Sequence, residues 1–186
     1  TANITTGATA SALVLDTVEL KTLTLTANEN LALSSTANTA NALAKLQSAD
    51  ITLNNAILGT NATTALEKLG ALNSLTVTGT VDNTATVLDE SSAILLGNLG
   101  AAANNYNLTV TASGLDGKVS TNGFAAGNVV TGAAKDITLD LAAVVGNITV
   151  GNVGNNTVKD VTITSTSSKG NVTVGTNPTT DAINGT

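Results

Sequence analysis

The chain has 186 residues, a net charge of −6 at pH 7 and an apolar fraction of 42%, with no Cys, His or Trp. The negative charge argues against nucleic acid or an anionic membrane as a partner, and the lack of Cys excludes disulfide bonds and thiol chemistry. With one Tyr and one Phe, the core must be built from Val, Ile, Leu and Ala, and no apolar run approaches the roughly 18 residues that would predict membrane insertion.

A short phrase, in which Thr lies between two apolar residues, recurs eight times. Alternation of apolar and polar residues is typical of a strand with one buried and one exposed face. Near-identical strands predict a chain built by repetition of one structural unit. The copies are Leu23-Thr24-Leu25, Ile51-Thr52-Leu53, Leu75-Thr76-Val77, Leu108-Thr109-Val110, Ile137-Thr138-Leu139, Ile148-Thr149-Val150, Val161-Thr162-Ile163 and Val172-Thr173-Val174.

In the first half, three segments with helical spacing of apolar residues lie between these phrases, at 36–49, 61–72 and 90–104. We therefore predict a helix-strand repeat region over residues 1–114. Strands separated by a helix usually pair in parallel, because a parallel connection needs a dozen or more residues.

In the second half, two strands return after one common interval of 24 residues. Lys135-Asp136-Ile137-Thr138-Leu139 reappears from Lys159, and Gly146-Asn147-Ile148-Thr149-Val150-Gly151 reappears from Gly170. A coil of this length that returns to one place predicts β-solenoid stacking over residues 115–186. The alternative is an antiparallel β-sandwich, since the short spacing of the later phrases is close to the roughly 8–12 residues typical of such folds. The predicted fold is thus mostly β: an elongated, β-solenoid-like repeat domain with short α-helices interleaved in its N-terminal half.

Catalytic residues are scarce in this sequence. Without His, Cys or Arg there is no Ser-His-Asp triad, no Cys nucleophile and no His-ligated zinc. Acidic pairs such as Asp136 and Asp140 could in principle cleave glycosides, but two aromatic residues cannot line a sugar-binding cleft. We expect no enzymatic activity.

Calcium is the better-motivated ligand, because it binds carboxylate and carbonyl oxygens. Asp116, followed by Gly117, and Asp181, in the tail from Thr180 to Thr186, are the candidate ligands. No complete Gly-Gly-x-Gly-x-Asp nonapeptide occurs in the chain.

Asn-x-Thr triplets provide candidate glycosylation sites. Asn107, Asn147 and Asn171 are singled out because each precedes a predicted strand at an equivalent position. The same positions suit Asn structurally, since it tolerates turn conformations and can stack in ladders.

Alternating Thr residues, as in Thr22-Leu23-Thr24-Leu25-Thr26, are typical of flat ice-binding faces, which need a regular lattice of Thr. Here the predicted helices would interrupt such a lattice in the first half, so the sequence does not predict ice binding.

The chain resembles the central regions of large bacterial surface-layer (S-layer) proteins and RTX-type secreted surface proteins. The resemblance lies in the phrase from Thr64 to Val81, in the Cys-free Thr/Asn/Gly/Ala composition and in the Asp181–Thr186 tail. It implies secretion, an extracellular location on the cell surface, folding promoted by Ca²⁺ and self-association into a lattice or filament. It also implies a polysaccharide anchor provided by regions outside this chain.

These observations lead us to expect a structural component of a self-assembling extracellular surface layer. Two alternatives remain open at this stage: a stalk or spacer segment of a bacterial adhesin, and a carbohydrate-binding or carbohydrate-active β-helix.

Overall fold

A computed structural model describes residues 1–7, 11–15, 19–28, 31–34, 43–54, 56–58, 71–79, 93–96, 99, 107–115, 122–126, 129, 136–142, 147–151, 153–154, 160–165, 170–175 and 183–184. All regular structure in these residues is β. The sixteen strands are β1 (Ala2–Thr5), β2 (Ser11–Val14), β3 (Thr22–Ala27), β4 (Leu31–Ser34), β5 (Ser48–Leu53), β6 (Ile57–Leu58), β7 (Ser74–Gly79), β8 (Ala93–Leu95), β9 (Leu108–Ser113), β10 (Asn122–Ala126), β11 (Ile137–Ala142), β12 (Asn147–Val150), β13 (Val153–Gly154), β14 (Val161–Ser165), β15 (Val172–Val174) and β16 (Ile183–Asn184).

The strands form two seven-stranded sheets and one short two-stranded sheet. The first sheet has the order β1-β3-β5-β7-β9-β11-β14, the second has the order β15-β12-β10-β8-β6-β4-β2, and β13 pairs with β16. Every one of these pairs is parallel. From β1 to β12, consecutive strands along the chain therefore alternate between the two large sheets. Each strand pairs with the next strand of its own sheet.

The alternation of apolar residues and Thr explains the two faces of the first sheet. In β3, Leu23 and Leu25 are fully buried while Thr24 between them is exposed. The pairing continues this arrangement from strand to strand, so that aliphatic side chains stack in columns beneath the sheet. One column contains Leu23, Ala49, Leu75, Val110 and Leu139, and the next contains Leu25, Ile51, Val77, Ala112 and Leu141.

The recurring phrases do not all stack on one another. Leu25 pairs with Ile51, so the phrase that begins at Leu23 is displaced by two positions from the phrase that begins at Ile51. A displacement of two leaves every side chain on its original face, because side chains alternate with a period of two. From β9 onward the phrases do coincide, and Ile137 pairs with Val161, its counterpart in the sequence repeat of the second half.

Two of the predicted helices are wrong where the structure describes them. Within 36–49, residues 43–45 form a turn, closed by a 3.0 Å hydrogen bond from the Leu46 amide to the Leu43 carbonyl, and β5 begins at Ser48. Within 90–104, Ala93–Leu95 is a strand whose Ile94 pairs with Leu58 and Phe124. Of the three segments, residues 36–42, 61–70, 90–92, 97–98 and 100–104 lie outside the described residues.

The antiparallel sandwich considered for the second half is also wrong for the described strands. β10, β12 and β15 pair in parallel, as do β11 and β14. β9 lies before position 114 and β11 after it, and the two strands pair with each other. The expected division into regions 1–114 and 115–186 stays a prediction.

A further leucine column lies just before the first sheet. Leu46 and Leu72 are fully buried and Leu20 is 6% exposed. The three leucines are evenly spaced in the sequence, and their spacing equals the register offset between β3, β5 and β7, in which Leu23 pairs with Ala49 and Ala49 with Leu75. Buried leucines therefore accompany the first sheet from β3 to β7, in the direction perpendicular to the strands.

Glycine permits a close approach of two neighbouring strand ends. A Cβ at Gly79 would overlap the carbonyl oxygen of Gly114 and lie 2.7 Å from the Leu115 side chain, and a Cβ at Gly114 would overlap the carbonyl of Gly79. Gly114 also has φ = 67°, in the left-handed region that side chains disfavour.

Candidate interaction surfaces

The outer surface of the first sheet is a regular array of hydroxyl groups, which we call the hydroxyl face. Parallel pairing aligns its side chains in three rows across the strands, and none of them is buried. The first row is Thr22, Ser48, Ser74, Thr109, Thr138 and Thr162; the second is Asn3, Thr24, Asp50, Thr76, Thr111, Asp140 and Thr164; the third is Thr5, Thr26, Thr52, Thr78, Ser113 and Ala142.

Charge on the hydroxyl face is sparse and of one sign. Its nineteen positions include fifteen Thr or Ser residues, two carboxylates, at Asp50 and Asp140, and no cation or aromatic residue. Asp50 and Asp140 lie in the middle row three strands apart, which corresponds to about 14 Å at the usual strand spacing. That separation exceeds the screening length of roughly 8 Å at physiological ionic strength, so the two charges act independently.

Side-chain hydrogen bonds connect neighbouring strands of the first sheet at one end of the hydroxyl face. The Asn28 amide nitrogen Nδ2 donates to the Thr6 carbonyl at 2.7 Å, and the Asn28 backbone N–H donates to Thr6 Oγ1 at 3.0 Å. Asn54 Nδ2 in turn donates to Asn28 Oδ1 at 2.9 Å. These contacts extend the alignment of β1, β3 and β5 beyond the last backbone pair.

An ion pair also connects the segments that precede β3 and β5. Lys45 Nζ lies 2.6 Å from Glu19 Oε1, with both side chains more than half exposed. The hydrogen bond from Lys45, together with its positive charge, lowers the pKa of the Glu19 carboxyl, and Lys21 adds a smaller contribution. The pair spans 26 residues, the same offset as β3 and β5.

The terminal strands of the two large sheets carry apolar side chains that the described residues cover only in part. Ala2 and Ile4 of β1 and Leu13 of β2 are partly buried at one end. At the other end, Val161, Ile163 and Val174 are partly buried and Val172 is 47% exposed. Ser165 lies at the same end, next to Leu141 in the inward column, and its hydroxyl is buried with no hydrogen-bond partner.

The predicted calcium ligands lie outside the described residues, since neither Asp116 nor Asp181 is placed. In the part of the chain that the structure does describe, no three acidic side chains come together in a group that could hold a metal ion. Calcium binding by Asp116 or Asp181 stays a prediction.

The side chains of two of the candidate glycosylation residues accept hydrogen bonds from the backbone of a neighbouring segment. Asn107 Oδ1 accepts a 3.2 Å hydrogen bond from the Asp136 backbone N–H, and Asn147 Oδ1 accepts one of 2.9 Å from the Asn171 backbone N–H. Asn107 and Asn171 are exposed, whereas Asn147 is half-buried. These contacts use Oδ1, which gives Asn107 and Asn147 a structural role. A glycan would attach at Nδ2, so glycosylation stays a prediction.

Of the acidic pair considered for sugar cleavage, one residue lies within β11 and the other just before it. Asp140 is exposed on the hydroxyl face, and Asp136 precedes the strand and is half-exposed. Tyr106 and the side chain of Phe124 lie outside what the structure describes, so the groove that the sugar-binding hypothesis requires stays a prediction.

Sequence reasoning missed the regularity of the hydroxyl face. Ser48 and Ser74 precede the recurring phrases instead of belonging to them, and Asp50 interrupts the Thr pattern. The even spacing of Thr22, Ser48 and Ser74 in the sequence is the signal that would have revealed the rows. Aligning the strands by their recurring phrases concealed this spacing.

Within the described residues, no helix is long and apolar enough to cross a membrane. Comparison of the chain with protein-family models, with curated proteins and with solved structures found no match. The geometry of the sheets and their surfaces therefore provides the basis for the functional proposal.

Proposed function

We propose that the chain is a β-solenoid segment with a structural role in a self-assembling extracellular surface layer. The observation that carries the proposal is the parallel pairing of each strand with the strand that returns to its sheet, repeated through two seven-stranded sheets. Aliphatic side chains of the described residues form one buried cluster, which favours a structural role over one that needs a central pocket.

The solenoid interpretation follows from the order of the strands. Through the first twelve, the odd-numbered strands belong to the first sheet and the even-numbered strands to the second. One passage through both sheets is one coil, and each coil stacks on the one before. Isolated parallel bridges from Leu99 to Val129 and from Val129 to Val153 support a third side in the later coils.

Association between copies is supported by the two ends of the stack. Terminal strands expose backbone groups that can pair with another strand, and the apolar side chains at both ends would gain burial from a neighbour. Val172 is the most exposed large apolar residue among those described. A repetitive stack with such ends can continue through another coil or another copy.

Imaging tests the proposed assembly directly. We expect electron microscopy of the purified chain to show ordered arrays or end-to-end filaments, and microscopy of producing cells to show a surface coat. Isolated fibres projecting from cells would favour the adhesin stalk instead. Particles that remain single at every concentration would contradict self-association.

A matched pair of variants tests the role of the end. V172K places a charge at the exposed apolar position, and T173K places the same charge at the adjacent exposed residue of β15. We expect V172K to reduce the sedimentation coefficient of the assembled material markedly and T173K to reduce it less. Equal effects of the two substitutions would show that Val172 does not lie in the contact between copies.

A further inference from the structure

We propose that the hydroxyl face binds ice, with the ordered water of an ice surface as its ligand. This inference goes beyond the structural role proposed above and does not depend on it. Its basis is the alignment of fifteen Thr and Ser hydroxyls in three rows across the first sheet.

The rows define a two-dimensional lattice. Neighbouring strands are about 4.8 Å apart, and successive outward residues of one strand are about 6.7 Å apart. No register shift occurs in any pair of the first sheet, in contrast to the irregularity between Asn122 and Phe124 in the second. A surface that is periodic in two directions fits a ligand that is itself periodic in two directions, as the water oxygens of ice are.

The structure removes the objection that the sequence raised. Helices between the phrases were expected to interrupt the Thr rows, but Ser48 and Ser74 continue the row from Thr22 to Thr109 without a gap. In the described residues, each strand of the first sheet pairs directly with the next, so the lattice is unbroken from β3 to β11.

The chemistry of the face favours water over other flat partners. Sugar rings bind on aromatic side chains, which can cover a large apolar area while keeping a polar edge, and no position of the face is aromatic. A second copy packed face to face would bury Asp50 and Asp140 without a cation to pair with them, which is costly. Against ice, both carboxylates keep their contact with water.

The test measures thermal hysteresis and ice recrystallisation with the full chain. We expect the chain to slow ice recrystallisation and to separate the freezing and melting points beyond the effect of an inert protein at equal concentration. T76Y places a bulky ring in the centre of the middle row and should remove most of this activity. N171Y places the same ring at an exposed residue off the face and should leave the activity unchanged.

A second pair of substitutions predicts a gain. D50T and D140T together give the middle row an unbroken run of hydroxyls from Thr24 to Thr164 and should raise thermal hysteresis above that of the parent chain. Circular dichroism and melting midpoints verify that all variants are folded.

Three outcomes would overturn the proposal. The first is a parent chain that behaves like an inert protein, and the second is equal loss in T76Y and N171Y. The third is binding to crystalline cellulose or chitin that T76Y abolishes, with no effect on ice, which would assign the face to a polysaccharide.

Discussion

Asn54 Nδ2 donates a 2.9 Å hydrogen bond to Oδ1 of Asn28, its counterpart 26 residues earlier in the chain. Asn28 in turn donates to Thr6, so a single side chain holds three successive strand ends in alignment. A side-chain ladder of this kind fixes the register at a point where the backbone pairing ends.

Replacement of Asn28 should therefore cost more stability than its partial exposure suggests. N28A removes the bond to the Thr6 carbonyl and the acceptor for Asn54, and we expect a loss of about 1–2 kcal/mol in the free energy of unfolding. Urea denaturation followed by circular dichroism measures it. N3A, on the exposed face of β1, is the matched control and should change stability by less than about 0.5 kcal/mol. A loss in N28A no larger than that in N3A would show that the ladder adds nothing.

The contact between Gly79 and Gly114 makes a second prediction. G79A and G114A each place a methyl group against the opposite carbonyl, and G114A adds the strain of a side chain at φ = 67°. We expect each to destabilise the fold by about 1–3 kcal/mol. G7A is the control, because a Cβ at Gly7 would meet nothing within 4 Å. Melting midpoints that fall equally in all three variants would contradict the role of the contact.

The buried hydroxyl of Ser165 predicts a gain in stability. S165A removes an oxygen that has no hydrogen-bond partner, and we expect the free energy of unfolding to rise by up to about 1 kcal/mol. S74A, on the hydroxyl face, should leave stability nearly unchanged. A loss of stability in S165A would mean that the hydroxyl is satisfied in solution.

The ion pair between Glu19 and Lys45 predicts a measurable titration. In the folded chain the pKa of Glu19 is lowered, so its contribution to stability is present above the unfolded pKa and is lost as pH falls through the folded pKa. NMR titration of the Glu19 carboxyl should show the depressed pKa, and K45A should return it toward its ordinary value. K21A should shift it less, because Lys21 has the smallest effect. Equal shifts in the two variants would contradict the contact, and high salt should weaken it because both side chains are exposed.

The calcium hypothesis has a direct test. A thermal melt with Ca²⁺ and with a chelator should show a higher midpoint with the ion if Asp116 or Asp181 binds it. D116N and D181N should then reduce the shift, whereas D160N, at an exposed position before β14, should not. An unchanged midpoint in the parent chain would mean that this chain folds without calcium.

The strands were the most predictable part of the fold. In Leu75-Thr76-Val77 the alternation fixes which side chains are buried, and this information is local to the strand. The predicted helix at 36–49 failed because burial of Leu43 and Leu46 fits a helix or a single turn equally well. The sequence spacing could not distinguish these two structures.

The surfaces were less predictable than the strands. Rows on the hydroxyl face depend on which residues pair across strands, and Leu25 pairs with Ile51 instead of with the second apolar residue of the next phrase. Pairing is set by packing between distant segments, so it is not visible in a single repeat. Asp116 and Asp181, chosen as calcium ligands, lie outside the described residues and remain untested.

Unbroken parallel pairing across the first sheet has a mechanical consequence. A load applied along the strands acts on all backbone hydrogen bonds of a pair such as β9 and β11 together, in shear. A load applied across the strands opens the same bonds one after another. We expect single-molecule pulling to require the larger force in the first direction, which would make the chain stiffest along its strands and easiest to peel from a terminal strand of the sheet.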